Sequence, residues 1–448
     1  MAAWLPAPPD PNALVPRLWP SGVAKDADGV LTVGGVRVTQ IADEFGTATY
    51  VVDEADFRGR ARAFRDAFSG ADVFYAAKAF LSVEVARWVA ADGLGLDVCS
   101  EGELACALRA GVDPARIGFH GNNKSVAELT RAVATGVGRV IVDSTWELDR
   151  LAQVAARHDT VQDVLIRVKP GVEAHTHHYI ATAHEDQKFG FSLADGDAWE
   201  AMRAVEATAS LRLRGLHCHI GSQIFDADAF GLAIRRLLAL YADGLSAGMT
   251  LGELDVGGGF GIAYTTRDDP EEPAVLAASL RAKVSEGCAV LGIPEPRLAV
   301  EPGRAIAGPS TFTIYEVGTV KTVSLEQGAS RLYVAVDGGM SDNIRAALYA
   351  ADFSCTLASR HSTAPAALAR VVGKHCESGD IVVRDEFLPA DVRPGDLLAV
   401  PGTGAYCRSL ANNYNHVPRP AVVAVESGRT RLMLRRETED DLLRLDVS

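Results

Sequence analysis

The chain is predicted to be an α/β protein: a (β/α)8 barrel joined to a second, all-β domain of sandwich or barrel-like form, contributed by N- and C-terminal segments. Three observations predict it. Between residues 53 and 310, apolar β-branched runs alternate with stretches of helical spacing, and eight such runs can be counted. Parallel strands covered on both faces read this way. Polar residues gather at the carboxyl ends of the runs, where barrel sites lie. Beyond residue 311 the helical rhythm gives way to short apolar strands punctuated by Gly, Pro and Asp.

Taken in order, residues 1–22 are rich in proline and read as an irregular arm; they lack the basic and apolar pattern of a secretory signal. Residues 29–52 alternate apolar and polar, which predicts a short β meander that joins the sheet of the C-terminal part. Candidate barrel strands are 72–78, 94–99, 117–120, 139–143, 163–168, 212–220, 253–257 and 297–301. Helical spacing is plain in Glu103–Ala110 and Glu147–Arg157. Ser100/Glu103, Ser125/Glu128 and Ser144/Glu147 each have capping-box spacing just past a strand. The expected organisation is an arm at 1–22, a β domain from 23–52 and 311–448, and a barrel at 53–310.

Bulk properties narrow the function. Hydrophobic residues make up 48% and charged residues 23%, as in globular chains. The formal net charge of −14 argues against a nucleic-acid partner, which needs clustered Lys and Arg. No apolar run approaches the roughly 20 residues of a membrane span. The seven cysteines are scattered, without a C-x-x-C pair, which fits a reduced, cytoplasmic setting.

The candidate chemistry sits at the strand ends: Lys78, Cys99, Ser100, His120, Asp143, Arg167, His219, Gly257–Gly259 and Glu301. Taken alone, Lys78 could be a strand-end lysine reaching for water. Desolvation near the barrel mouth would make it a nucleophilic amine. His219 can lie flat on a ring, with Ser222 reaching a phosphate, whereas His217 reads as structural. The glycines after the seventh strand let backbone N–H groups approach an anion, helped by a following helix N-terminus. Glu301, at depth, needs a cationic or N–H partner. A lysine, an imidazole, a glycine cradle and a carboxylate together suit pyridoxal 5′-phosphate: the lysine as Schiff-base former, the carboxylate keeping the ring nitrogen protonated. The His175, His177, His178 loop, with Glu173, His184 and Glu185, has no standard metal spacing, so no metal is expected and a lid is the preferred reading.

The motifs Tyr-Ala-Ala-Lys-Ala (75–79), Asp-Val-Cys-Ser-Glu-Gly-Glu (97–103), His-Cys-His-Ile-Gly-Ser-Gln (217–223), Asp-Val-Gly-Gly-Gly-Phe-Gly (255–261) and Glu-Pro-Gly-Arg (301–304) occur in that order. They are followed by Ser-Asp-Asn-Ile-Arg-Ala-Ala-Leu-Tyr (341–349), Cys-Glu-Ser-Gly-Asp (376–380) and Gly-Ala-Tyr (404–406). In this set the chain resembles the diaminopimelate decarboxylase family, pyridoxal-phosphate enzymes of the alanine racemase-like fold, over about residues 25–425. Single motifs are shared with ornithine and arginine decarboxylases. The resemblance implies decarboxylation of meso-2,6-diaminopimelate to L-lysine and CO2, the last step of lysine biosynthesis. It also implies a homodimer whose sites combine one subunit's barrel with the other's Cys376-Glu377 loop.

By the same resemblance Lys78 is the Schiff-base lysine and His219 stacks on the ring. Ser222, Gly258, Gly259, Arg304 and Tyr406 hold the cofactor, and Glu301 pairs with its nitrogen. Arg304, Arg345, Tyr349, Glu377 and Tyr406 bind substrate, and Cys376 is the proton donor. Ala346 stands where many members have Pro, and Phe80 where many have Asn; neither change removes a group given a role. A guanidinium fork suits the substrate's distal carboxylate, and Glu377 its ammonium. The alternatives are a related amino-acid decarboxylase, an amino-acid racemase, or a cofactor-free regulatory homologue. Retention of Lys78, Glu301 and Cys376 speaks against the last.

Overall fold

Eight parallel strands build the barrel of the first unit of the chain. They are β1 (Asp72–Ala76), β2 (Gly95–Val98), β3 (Ile117–Phe119), β4 (Arg139–Val142), β5 (Gln162–Lys169), β6 (Leu211–His217), β7 (Glu253–Asp255) and β8 (Arg297–Val300). The computed structural model describes residues 5–171, 187–326 and 329–447. The loop with His175, His177 and His178, read from sequence as a lid, lies outside the described residues. Each strand pairs in parallel with the next, β4 pairs with β5, and β8 pairs with β1, which closes the barrel. Closure leaves no free edge, and the strands are buried almost throughout, as their apolar runs require.

Helices cover the barrel, and their starts explain themselves. Ser125 accepts from the Glu128 N–H while the Glu128 side chain accepts from the Ser125 N–H, a complete capping box. At Ser100 and Ser144 only the serine half is made. There the glutamates reach one residue further back: Glu103 accepts from the Cys99 N–H and Glu147 from the Asp143 N–H.

This barrel unit comprises residues 60–261 and 270–303; residues 1–59, 262–269 and 304–448 form a second compact unit. Its main sheet is mixed and runs in the order 381–389, 366–372, 330–336, 311–324, 49–53, 421–426, 429–434. The central Thr311–Ser324 strand pairs antiparallel with Thr49–Asp53, which pairs in parallel with Ala421–Glu426. N- and C-terminal chain therefore share one sheet. Leu18 and Trp19, in the stretch read as an irregular arm, are buried in this unit's core, with Trp19 edge-on to Phe312 at 5.8 Å.

The predicted meander over 29–52 is only partly a meander. Val23–Lys25, Leu31–Val33 and Val36–Arg37 form a small separate antiparallel sheet. Val38–Phe45 is a helix, and only Thr49–Asp53 enters the main sheet. The alternating pattern conceals a second one: Val38, Ile41, Ala42 and Phe45 have helical spacing, and Val38 and Ile41 are fully buried.

Candidate active site

The turn after β1 presents Lys78. Ala77–Ala79 make one turn of 3-10 helix, and the Tyr75 hydroxyl donates to the Phe80 carbonyl at 2.7 Å to hold it. A Cβ on Gly303 would lie 2.9 Å from the Ala76 Cβ and 3.1 Å from the Ala79 Cβ. Three small residues thus let the turn carrying Lys78 lie directly against the segment that follows Glu301. Lys78 is exposed, and among the described residues it makes no hydrogen bond or ion pair. The expectation of a desolvated lysine is not met, because the amine stands on a turn beyond the strand and not within the barrel.

Glu301, just past β8, is buried. His120 Nε2 and His217 Nε2 each approach its Oε1 to 3.1 Å. His120 Nε2 also lies 3.3 Å from Asp97 Oδ1. Burial alone would raise the Glu301 carboxyl, but the two imidazoles outweigh it and hold the group well below the usual carboxylate range. His120 shows the mirror image: burial opposes its charge, yet Glu301 and Asp97 push it up to about 9. His217 lacks the second carboxylate, and burial lowers it to about 4. Burial and the nearby Glu301 raise Asp97 to about 6. His120, His217 and Glu301 offer ligand atoms within 4.8 Å of one another. Because His120 Nε2 lies between two carboxylate oxygens, the setting of a protonated donor, we read the group as an ion-pair network and not as metal ligands.

Sequence reasoning missed this network in part. The sequence reading assigns Asp97 no role and takes His217 as structural. The available signal was phase: Asp97, His120 and His217 all lie at or just past barrel strand ends. Gly118 was the second signal. A Cβ there would lie 2.9 Å from Asp97 Oδ1 and 3.6 Å from His120 Nε2, so glycine leaves room for the pair.

His219, two residues beyond His217, is held neutral, its pKa well below the usual histidine value. Burial is the main cause, with the charges of Lys78 and Arg167 adding to it. Its Nδ1 accepts from the Gly258 N–H at 3.3 Å. The glycine triplet is therefore only partly an anion cradle. Gly257 donates to Asp255 Oδ1 at 2.8 Å and Gly258 to His219, whereas the Gly259 N–H makes no hydrogen bond among the described residues. Gly259, at φ +101°, could not carry a side chain: a Cβ would lie 2.3 Å from the Gly221 carbonyl oxygen. The expected helix N-terminus does not follow directly; the next helix, Pro273–Leu291, starts well beyond the triplet. Ser222 is half-buried.

The second unit holds the other predicted residues. Arg304 and Arg345 are buried, and both donate to the Tyr264 hydroxyl, Arg304 at 2.5 Å. The Arg304 guanidinium lies 4.7 Å from the centre of the Tyr406 ring, and Arg345 lies at the same distance from the Tyr264 ring. Among the described residues Arg345 has no carboxylate within ion-pair reach. Tyr406 has φ +62°, a conformation that strains a tyrosine. Tyr349 ends the short helix Arg345–Tyr349, half-buried. Cys376 and Glu377 are exposed on a loop anchored by its neighbours: Asp380 accepts from the N–H groups of Met340 and His375, and the His375 ring meets Ser341 at 2.8 Å and Asn415 at 3.2 Å.

The family model described as pyridoxal-dependent decarboxylase, pyridoxal binding domain, matches residues 54–308. A diaminopimelate decarboxylase of Mycobacterium tuberculosis (strain CDC 1551 / Oshkosh) is 57% identical over 440 residues, covering 97% of this chain and 98% of its own. The chain belongs to the diaminopimelate decarboxylases. The Bacillus subtilis (strain 168) diaminopimelate decarboxylase is 44% identical over 94% of this chain and 95% of its own. The crystal structure of diaminopimelate decarboxylase from Helicobacter pylori complexed with L-lysine superposes with a TM-score of 0.84 at 29% identity, covering 92% of this chain and 99% of that one. An exposed amine, an ionised buried carboxylate, a neutral imidazole and an open backbone N–H fit the pyridoxal phosphate that this decarboxylase family uses.

Proposed function

We propose that the protein is a carboxy-lyase that converts meso-2,6-diaminopimelate to L-lysine and CO2, the last step of lysine biosynthesis. The observation that carries this reading is the buried Glu301, kept ionised by His120 and His217 in the same unit of the chain as the exposed Lys78 amine. When bound, pyridoxal phosphate supplies an electron sink for the pair left by the departing carboxylate. Lys78 would supply the amine that tethers it, and the neutral His219 would lie against it, oriented by the Gly258 N–H. Glu301 would accept its ring N–H, and the Gly259 N–H, Ser222 and Tyr406 would hold the phosphate.

Arg304, Arg345 and Tyr349 bind the distal carboxylate of the substrate. A buried guanidinium without a counter-ion costs several kcal/mol, about 3–5 when one partner of a pair is missing. Among the described residues Arg345 has no such counter-ion, so ornithine and lysine, whose distal ends are bare ammonium groups, are poor substrates. Glu377 of a second copy takes the distal ammonium, and Cys376 gives its Sγ proton to the carbon that has lost CO2. The exposure of both residues in one chain supports a homodimer with shared sites. All seven cysteines are free, which supports a reducing, cytoplasmic location.

The test is a substrate panel. Purified protein with added pyridoxal phosphate should release CO2 from meso-diaminopimelate and form L-lysine, identified by mass. Ornithine, arginine and lysine should be turned over at least about 10²-fold less efficiently, the range expected when a buried charge is left unpaired. Racemised substrate without CO2, or preference for ornithine, would reject the reading.

A further inference from the structure

The Tyr264 hydroxyl belongs to none of the motif roles given above, yet both substrate arginines converge on it. It accepts from an Arg304 terminal nitrogen at 2.5 Å and from one of Arg345. The ring is 5% exposed and packs edge-on to Phe353 at 5.1 Å. Its backbone is pinned as well: Asp268 Oδ2 accepts from the Tyr264 N–H at 3.0 Å and from the Thr265 N–H at 2.8 Å. The hydroxyl therefore has a fixed position.

A phenol has two acceptor lone pairs and one donor proton. Two guanidinium donors occupy both lone pairs. What the hydroxyl has left to offer is its own proton, beside two cationic forks. A carboxylate oxygen satisfies that proton, whereas an ammonium would meet donor against donor. We propose that Tyr264 is a specificity-determining residue that admits an anionic distal group and rejects a cationic one. It also shields two like charges from each other by giving both a common acceptor. The inference rests on the substrate assignment above and deepens it.

The experiment uses the loaded holoenzyme and Tyr264→Phe, which removes one oxygen and keeps the ring, its packing on Phe353 and the Asp268 contacts. The KM for meso-diaminopimelate should rise about tenfold or more, the effect of losing a hydrogen bond to a charged group, with kcat changed by less than about threefold. The preference for pimelate over cadaverine as competitive inhibitors should shrink by a similar factor. An unchanged KM and unchanged inhibitor preference in the variant would overturn the proposal. Should the variant melt well below the unmodified protein, the unmodified protein still decides: cadaverine competing as strongly as pimelate overturns it. If the unmodified protein does not decarboxylate meso-diaminopimelate at all, the substrate assignment falls first, and that result is distinct from an unaltered KM in Tyr264→Phe.

Discussion

His120 and His217 stand at one distance, 3.1 Å, from one oxygen of Glu301, but only His120 also faces Asp97. That second carboxylate decides which ring carries the proton. His120 rises to about 9 and His217 falls to about 4, with Lys78 acting on Asp97 and Arg167 on His217. The pH dependence follows. A histidine whose folded pKa exceeds its free value near 6.5 contributes fully below that value, and the contribution is lost as pH rises through about 9. Over this window Asp97 is already ionised and His217 is neutral. The melting temperature of the cofactor-free protein should therefore fall between pH 6.5 and 9, by a His120 contribution on the order of 3 kcal/mol. His120→Gln should flatten that dependence; an equally steep fall in the variant would refute the assignment. Glu301→Gln should lower kcat by about 10²-fold or more with KM little changed, measured at saturating cofactor, because it removes charge stabilisation at the ring nitrogen.

At the scale of elements, the strand–glycine contacts are as specific as the polar groups. Gly118 on β3 leaves the space in which Asp97 and His120 meet. Gly118→Ala should push them apart and weaken pyridoxal phosphate binding, read by titration of the visible band, while far-ultraviolet circular dichroism stays unchanged. Ser125→Ala should cost about 1 kcal/mol in a denaturant melt, since it opens a complete capping box. Much of this level was legible in the residues. Apolar β-branched runs separated by stretches of helical spacing marked the barrel strands, and Ser-x-x-Glu marked the helix starts at Ser100, Ser125 and Ser144. What was not legible depended on three-dimensional neighbours. Nothing in Glu103 or Glu147 says that it will bond the residue before the cap. Val38–Phe45 satisfies both a strand and a helix pattern, and burial of Val38 and Ile41 selects the helix. Tyr264 lies on a short segment of the β unit whose importance appears only when Arg304 and Arg345, distant in sequence, are seen to meet on it.

For the whole molecule, the account requires that each site draw on two copies of the chain. Neither Cys376 nor Glu377 is buried, although the loop beneath them is anchored by His375 and Asp380. Mixing Lys78→Ala with Glu377→Ala should restore activity toward one quarter of normal, because random pairing gives half mixed dimers and each has one intact site. Failure to recover on mixing, with dimers present by light scattering, would exclude shared sites.

The central claim is that Lys78 is the point at which pyridoxal phosphate is joined to the barrel. Borohydride reduction of the loaded protein, followed by digestion and mass spectrometry, tests it most directly. The account predicts one pyridoxyl adduct, on the peptide containing Lys78, and its absence in Lys78→Ala. An adduct on a different lysine, or none in a protein that still releases CO2 from meso-diaminopimelate, would contradict it.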